Sequence, residues 1–101
     1  MAPRLELQAL LKTVLGSDHV YFQPPPNVQM QYPAIVYKLD EIDTKFANNK
    51  PYSRAKRYQV TVIDPSPDSP IFDKVGELPT SSFERAFPAD NLNHQVYNLY
   101  F

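Results

Sequence analysis

Apolar positions near the start of the chain recur at helical spacing. Leu5, Leu7, Leu10, Leu11, Val14 and Leu15 include i, i+3/i+4 steps, while Arg4, Glu6, Gln8 and Lys12 fall largely on the other side. That spacing predicts an amphipathic helix over 4–15. Pro3 suits its first turn and Gly16 its exit. The pattern then changes. Residues 19–23 (HVYFQ) read as a short extended piece, halted by Pro24, Pro25 and Pro26. Three successive prolines cannot extend a hydrogen-bonded ladder, so 24–33 reads as a stiff crossover.

From Pro33 to Ile42 the period is two: Ile35, Tyr37 and Leu39 alternate with Val36, Lys38 and Asp40. This predicts a strand with one buried and one mixed face. Residues 58–64 (YQVTVID) predict another, with Tyr58, Val60 and Val62 on one side. Asn48-Asn49-Lys50-Pro51 between them reads as turn chemistry, closing a long hairpin with a polar, basic tip. Ser69 or Asp68 then offers an N-cap and Pro70 a first helical position. Ile71, Phe72, Val75 and Leu78 make a second amphipathic helix that Pro79 ends or kinks. Residues 80–87 fit either a helical turn or an extended return. The aromatic run 93–101 reads as a final strand. The expected fold is α+β: a mostly antiparallel sheet of about four strands, two helices on one face, and the order helix–strand–strand–strand–helix–strand.

Composition narrows what such a domain does. A chain of 101 residues is one domain of modest core. Net charge is −1, so no global field draws it to DNA or to an anionic membrane. Without cysteine there is no disulfide, thiolate nucleophile or Cys-bound zinc. Glu6, Gln8, Lys12 and Thr13 interrupt any signal-peptide core, and no apolar run suffices to span a bilayer, so a soluble protein is expected. Two glycines against eleven prolines indicate stiffened loops, which suit an assembly part better than an enzyme with a mobile lid.

Catalytic and metal chemistries find little footing. His19 and His94 are far apart, and neither has a ligand at zinc-site spacing. Asp64, Asp68 and Asp73 lack the central glycine of a calcium loop and read as capping and turn-forming acids. Ser81-Ser82 has no glycine elbow, and phosphate-cradling loops need glycines this chain lacks. Asp40 and Glu41, adjacent in a strand, point to opposite faces and cannot share a substrate. The chain reads as a non-enzyme without cofactor or metal.

Charge is concentrated in residues 40–59, DEIDTKFANNKPYSRAKRYQ. Asp40, Glu41 and Asp43 lead in, and Lys45, Lys50, Arg54, Lys56 and Arg57 follow, half of all Lys and Arg in the chain. Three readings compete: a nucleic-acid grip with Tyr52 and Tyr58 stacking bases, a solvated hairpin tip, and a docking arm for another protein subunit. The neighbouring acids and the neutral remainder weigh against the first. In the last run, Tyr97 and Phe101 fall on one face and Tyr100 on the other, which favours cover on both sides, by helices or by another subunit.

YPAIVY, NNKPY with RYQVTVID, the PDS crossover, and DNLNH with its aromatic ending span residues 30–101. Together these resemble the tail terminator (tail completion, or minor capsid) proteins of tailed phages and prophages of Gram-positive bacteria. None of these pieces is a catalytic motif. The resemblance implies a virion structural protein of the phage neck, assembled in the host cytoplasm. It implies a homo-oligomeric ring, typically of six subunits, that caps the tail tube, stops its growth and offers a surface for head–tail joining. Its partners would be the tail-tube protein and the head-side connector, with DNA passing the lumen and no membrane involved. On that reading Lys45, Asn49, Lys50, Tyr52, Arg54 and Lys56 form a protein-contacting arm, and Asp40, Glu41 and Asp43 are lumen-facing acids. The alternatives are a head-completion (stopper) protein of the same neck and a small nucleic-acid-binding module.

Overall fold

A computed structural model describes residues 4–24, 29–47 and 50–101; the side chains of 41–55 lie outside the described residues. Helix α1 spans Arg4–Leu15 and strand β1 Val20–Phe22. Strands β2 (Ala34–Ala47) and β3 (Lys50–Asp64) form the long hairpin, followed by α2 (Pro70–Gly76), β4 (Ser81–Ala89) and β5 (Leu92–Tyr100). The sheet has five strands in the order β1-β2-β3-β5-β4.

The α+β class and the long hairpin match the sequence reading, but the strand count and order need correction. The sheet is mixed rather than antiparallel throughout, because β1 runs parallel to β2. The chain reaches that pairing through the proline-rich crossover, since parallel neighbours cannot be joined by a tight turn. A second strand follows α2: residues 80–87, left open above, fall largely in β4, which pairs with β5. The two are joined at Asp90 and Asn91, whose φ values of 52° and 62° place both in the left-handed region. Such a pair suits a two-residue hairpin turn, and Asp and Asn tolerate it better than most residues. Lys50 and Pro51, assigned to the turn by sequence, belong to β3; Asn48 and Asn49 lie outside the described residues.

Both helices pack on one sheet face. Leu7 and Leu11 of α1 and Ile71, Phe72 and Val75 of α2 share a core with Ile35, Tyr37, Tyr58, Val60, Val62, Tyr97 and Leu99. These strand residues are two apart within each strand and aligned across the ladders, so they present one face. Leu5, counted on the apolar face above, is 66% exposed. Gly16 ends α1 at φ +81°, its N–H donating to the Lys12 carbonyl at 2.8 Å, a left-handed exit that a side chain would strain. At α2 the Ser69 hydroxyl accepts from the Ile71 N–H at 3.3 Å, with Pro70 at the first helical position, as the sequence indicates. The Asp64 carboxylate accepts from the Ser66 N–H at 2.8 Å and shapes the turn that leaves β3.

The core includes polar handles that fix its register. The Tyr37 hydroxyl donates to Gln8 Oε1 at 2.8 Å and accepts from Arg4 at 3.2 Å, while Arg4 lies over the Phe22 ring at 4.4 Å. The Tyr97 hydroxyl sits 2.9 Å from the Phe72 carbonyl and 2.7 Å from Gln95 Oε1, bridging α2 and β5. Burial raises the pKa of Tyr58 and Tyr97 above the ordinary 10.0, with Tyr37 adding to the first and Asp73 to the second. Above about pH 10 an unfolded chain loses these phenolic protons while the folded chain keeps them. Stability from this source is therefore complete below that pH and is lost as pH rises through the raised values. Tyr97→Phe is expected to lower stability by about 1–2 kcal/mol, because a buried carbonyl loses its donor. It should also make the alkaline fall shallower; urea unfolding between pH 8 and pH 11 measures both.

The sheet's two outer strands differ. β1 is only three residues long, whereas β4 has nine. A register shift between Phe83 and Arg85 makes Glu84 an extra residue in β4, and Pro88 follows four residues later. Phe83 is 59% exposed, its ring edge-on to Tyr97 at 5.7 Å, and Phe87 stacks on His94 at 4.8 Å.

Candidate functional site

The hairpin outruns the sheet that carries it. β5 pairs with β3 from Asp64 to Arg57 and stops, and β1 covers only Ile35 to Tyr37 of β2. Beyond this root the ladder continues from Ile42↔Lys56 to Ala47↔Lys50, joined to no third strand among the described residues. The free part of the ribbon is about 20 Å long at the usual rise per residue. The molecule is correspondingly long, 51 × 25 × 23 Å, with a radius of gyration of 14.6 Å, above the ~13 Å typical of a compact chain of this size.

The root is built from a bulge and an ion pair. Leu39 pairs with Tyr58 and Glu41 with Arg57, leaving Asp40 as the extra residue between them. Extra residues of this kind bend and twist a ribbon. Arg57 holds this one, its Nη2 at 2.8 Å and its Nε at 2.9 Å from Asp40 Oδ2. Two charge-assisted bonds to one carboxylate hold geometry better than a single exposed contact does. The Phe101 N–H donates to the Lys56 carbonyl at 3.0 Å, and the Thr80 hydroxyl donates to the Tyr100 carbonyl, so the last residues also brace the root.

The site residues expected from sequence distribute along this ribbon. Lys45 pairs with Ser53, Arg54 with Thr44, Lys56 with Ile42, and Lys50 opens β3 opposite Ala47. Tyr52 falls in the register shift between Lys45 and Phe46 and their partners. Among the acids, Asp43 pairs with Ala55 and Glu41 with Arg57. Apart from Asp40 and Lys56, the side chains of these positions lie outside the described residues, as does Asn49 altogether. Asp40 has a definite local partner in Arg57. Arg57 itself was counted among the bases without a role, and only the bulge reveals it, because a contact seventeen residues apart leaves no local sequence signal.

The concavities elsewhere are shallow. One of about 430 Å³ lies between Gln23, Pro24, Val36, Lys38, Gln59 and Thr61, and its described lining holds no His, Asp or Glu for acid–base work. Among the described residues no group of three or more His, Asp or Glu side chains is placed to hold a metal ion, and no helix is long and apolar enough to cross a membrane. Comparison of the chain with models of known protein families finds no match, and no curated protein matches it.

Proposed function

We propose that this chain is a structural subunit of a phage neck, a tail terminator whose copies form a ring, cap the tail tube and present a joining surface to the head. The observation that carries the reading is the two-stranded arm. An isolated two-stranded ribbon is marginal at best in water, yet here β2 runs for six residues, 42–47, past the last rung that β5 supports. A ribbon of that length gains most of its order by lying against another surface. Tyr100, 39% exposed beside the root, and exposed Phe83 add aromatic area for contacts between subunits. The motif set from YPAIVY to DNLNH supplies the phage assignment, and the ring is the assembly that a one-way arm naturally builds.

The test is tube capping. Tail-tube protein from the same genome, polymerised with and without this chain, is imaged by electron microscopy. The reading requires shorter tubes with an added terminal ring in the presence of the chain. Unchanged tube lengths with bare ends would overturn it, and rings that bind only the head-side connector would assign the stopper role instead.

A further inference from the structure

The charge of the molecule is divided along its length. Residues 41–57 carry five bases and two acids, a surplus of three positive charges. The remainder carries five bases and nine acids, a surplus of four negative ones, which together give the net −1 of the chain. The division is also spatial. β3 runs from the arm root at Arg57 to Asp64, about 23 Å at the usual rise, so the link that follows and the start of α2 lie at the end remote from the arm. The Asp90–Asn91 turn lies there as well, since Asn93 pairs with Asp64.

That remote end is acidic and open. Asp68 and Asp73 border an indentation of about 260 Å³ together with Ser69, Phe72 and Gln95. Both side chains are exposed, and neither carboxylate forms an ion pair among the described residues. Asp90 adds a third exposed acid at the same end. On α2 itself Asp73 and Lys74 are exposed, and Lys74 is the one base on that helix.

We infer that the outer face of α2, centred on Asp68 and Asp73, is the acceptor for the basic arm of a second copy of this chain. Charge complementarity selects the occupant: the arm needs an acidic surface, and the opposite end of an identical molecule provides one. A donor at one end and an acceptor at the other make the contact heterologous, the kind that closes rings. Nucleic acid is the less favoured occupant of the arm, because the body behind it is negative and would repel a phosphate backbone. The inference rests on the ring reading above and names the surface that reading leaves open.

Reciprocal charge reversal tests it on the full chain. One variant is K45E/K50E/R54E and the other D68K/D73K, each followed by sedimentation velocity. At ~50 mM salt the wild type is expected to assemble well beyond 11.6 kDa, with association at least about tenfold weaker at ~500 mM. Each variant alone should sediment as a monomer, because like charges then face each other. An equimolar mixture should assemble again, since each arm now meets an acceptor of opposite sign. Misfolding cannot produce that rescue. The inference is overturned if D68K/D73K alone assembles like the wild type, if the mixture stays monomeric, or if the wild type is monomeric at low salt and instead shifts a DNA fragment. A D68K/D73K variant that still caps tail tubes normally would sink this acceptor and leave the ring reading standing; failure of the wild type to cap would sink the ring reading itself.

Discussion

Replacing residues 42–56 with Asn-Gly is expected to abolish self-assembly while leaving the body folded. The cut falls just beyond Glu41↔Arg57, the last rung tied to the root, and an Asn-Gly pair supplies the two-residue turn that right-twisted strands prefer. The Asp40–Arg57 pair and the Phe101 bond to the root can both survive if Lys56 is retained in a control variant lacking 42–55. Stability should change by less than about 1 kcal/mol, since a shorter closing loop offsets the few lost rungs. Sedimentation and thermal unfolding together read this out. Assembly indistinguishable from the full chain would remove the arm from any role in subunit contact, and a collapse in stability would make it part of the fold instead.

The largest effect on stability is expected at Leu11. Its side chain is fully buried between α1 and the sheet, with Leu7 one turn away. Leu11→Ala removes apolar contact and leaves a cavity, which costs about 2–5 kcal/mol in comparable cores. A domain of this size has roughly 5–15 kcal/mol in total, so the variant should unfold at a much lower urea midpoint. Leu5→Ala is the matched control. Leu5 is in the same helix and of the same chemistry but exposed, and its loss should stay within ~0.5 kcal/mol. Equal losses at the two positions would mean that α1 presents a different face to the sheet.

Where residues alternate or step at helical spacing against a core, the sequence was legible. α1, the inner halves of β2 and β3, the Ser69–Pro70 start of α2 and the aromatic β5 all carry such patterns, because each has one face buried and one wet. β4 has no such contrast. Its residues are mostly exposed, and the extra Glu84 inverts which side chains face inward halfway along. An outer strand whose side chains mostly face solvent leaves no hydrophobic period to read. The outer ladder of the arm was missed for the same reason: the sequence indicated a charged tip between shorter strands, while main-chain pairing continues to Ala47 and Lys50 without an apolar stripe. Among the site residues, the basic stretch was visible as a charge imbalance. The acids at the other end were not, because Asp68, Asp73 and Asp90 are separated in sequence and fall at one end only through the strand register that sets Asp64 opposite Asn93.

The blunted outer strands of the sheet bear on how copies of this chain can be stored and combined. β1 offers only three residues for another strand to add to, and β4 is interrupted by the Glu84 bulge and by Pro88, which has no N–H to donate. Continuous strand addition, the route by which concentrated sheet proteins become fibrils, is thus poorly served at these two outer strands of the body. In the proposed ring, contacts at the body would then run through side chains, bonds that salt and dilution can undo. A subunit held this way can wait in high concentration without polymerising irreversibly, and can correct a misplaced neighbour before a closed assembly locks.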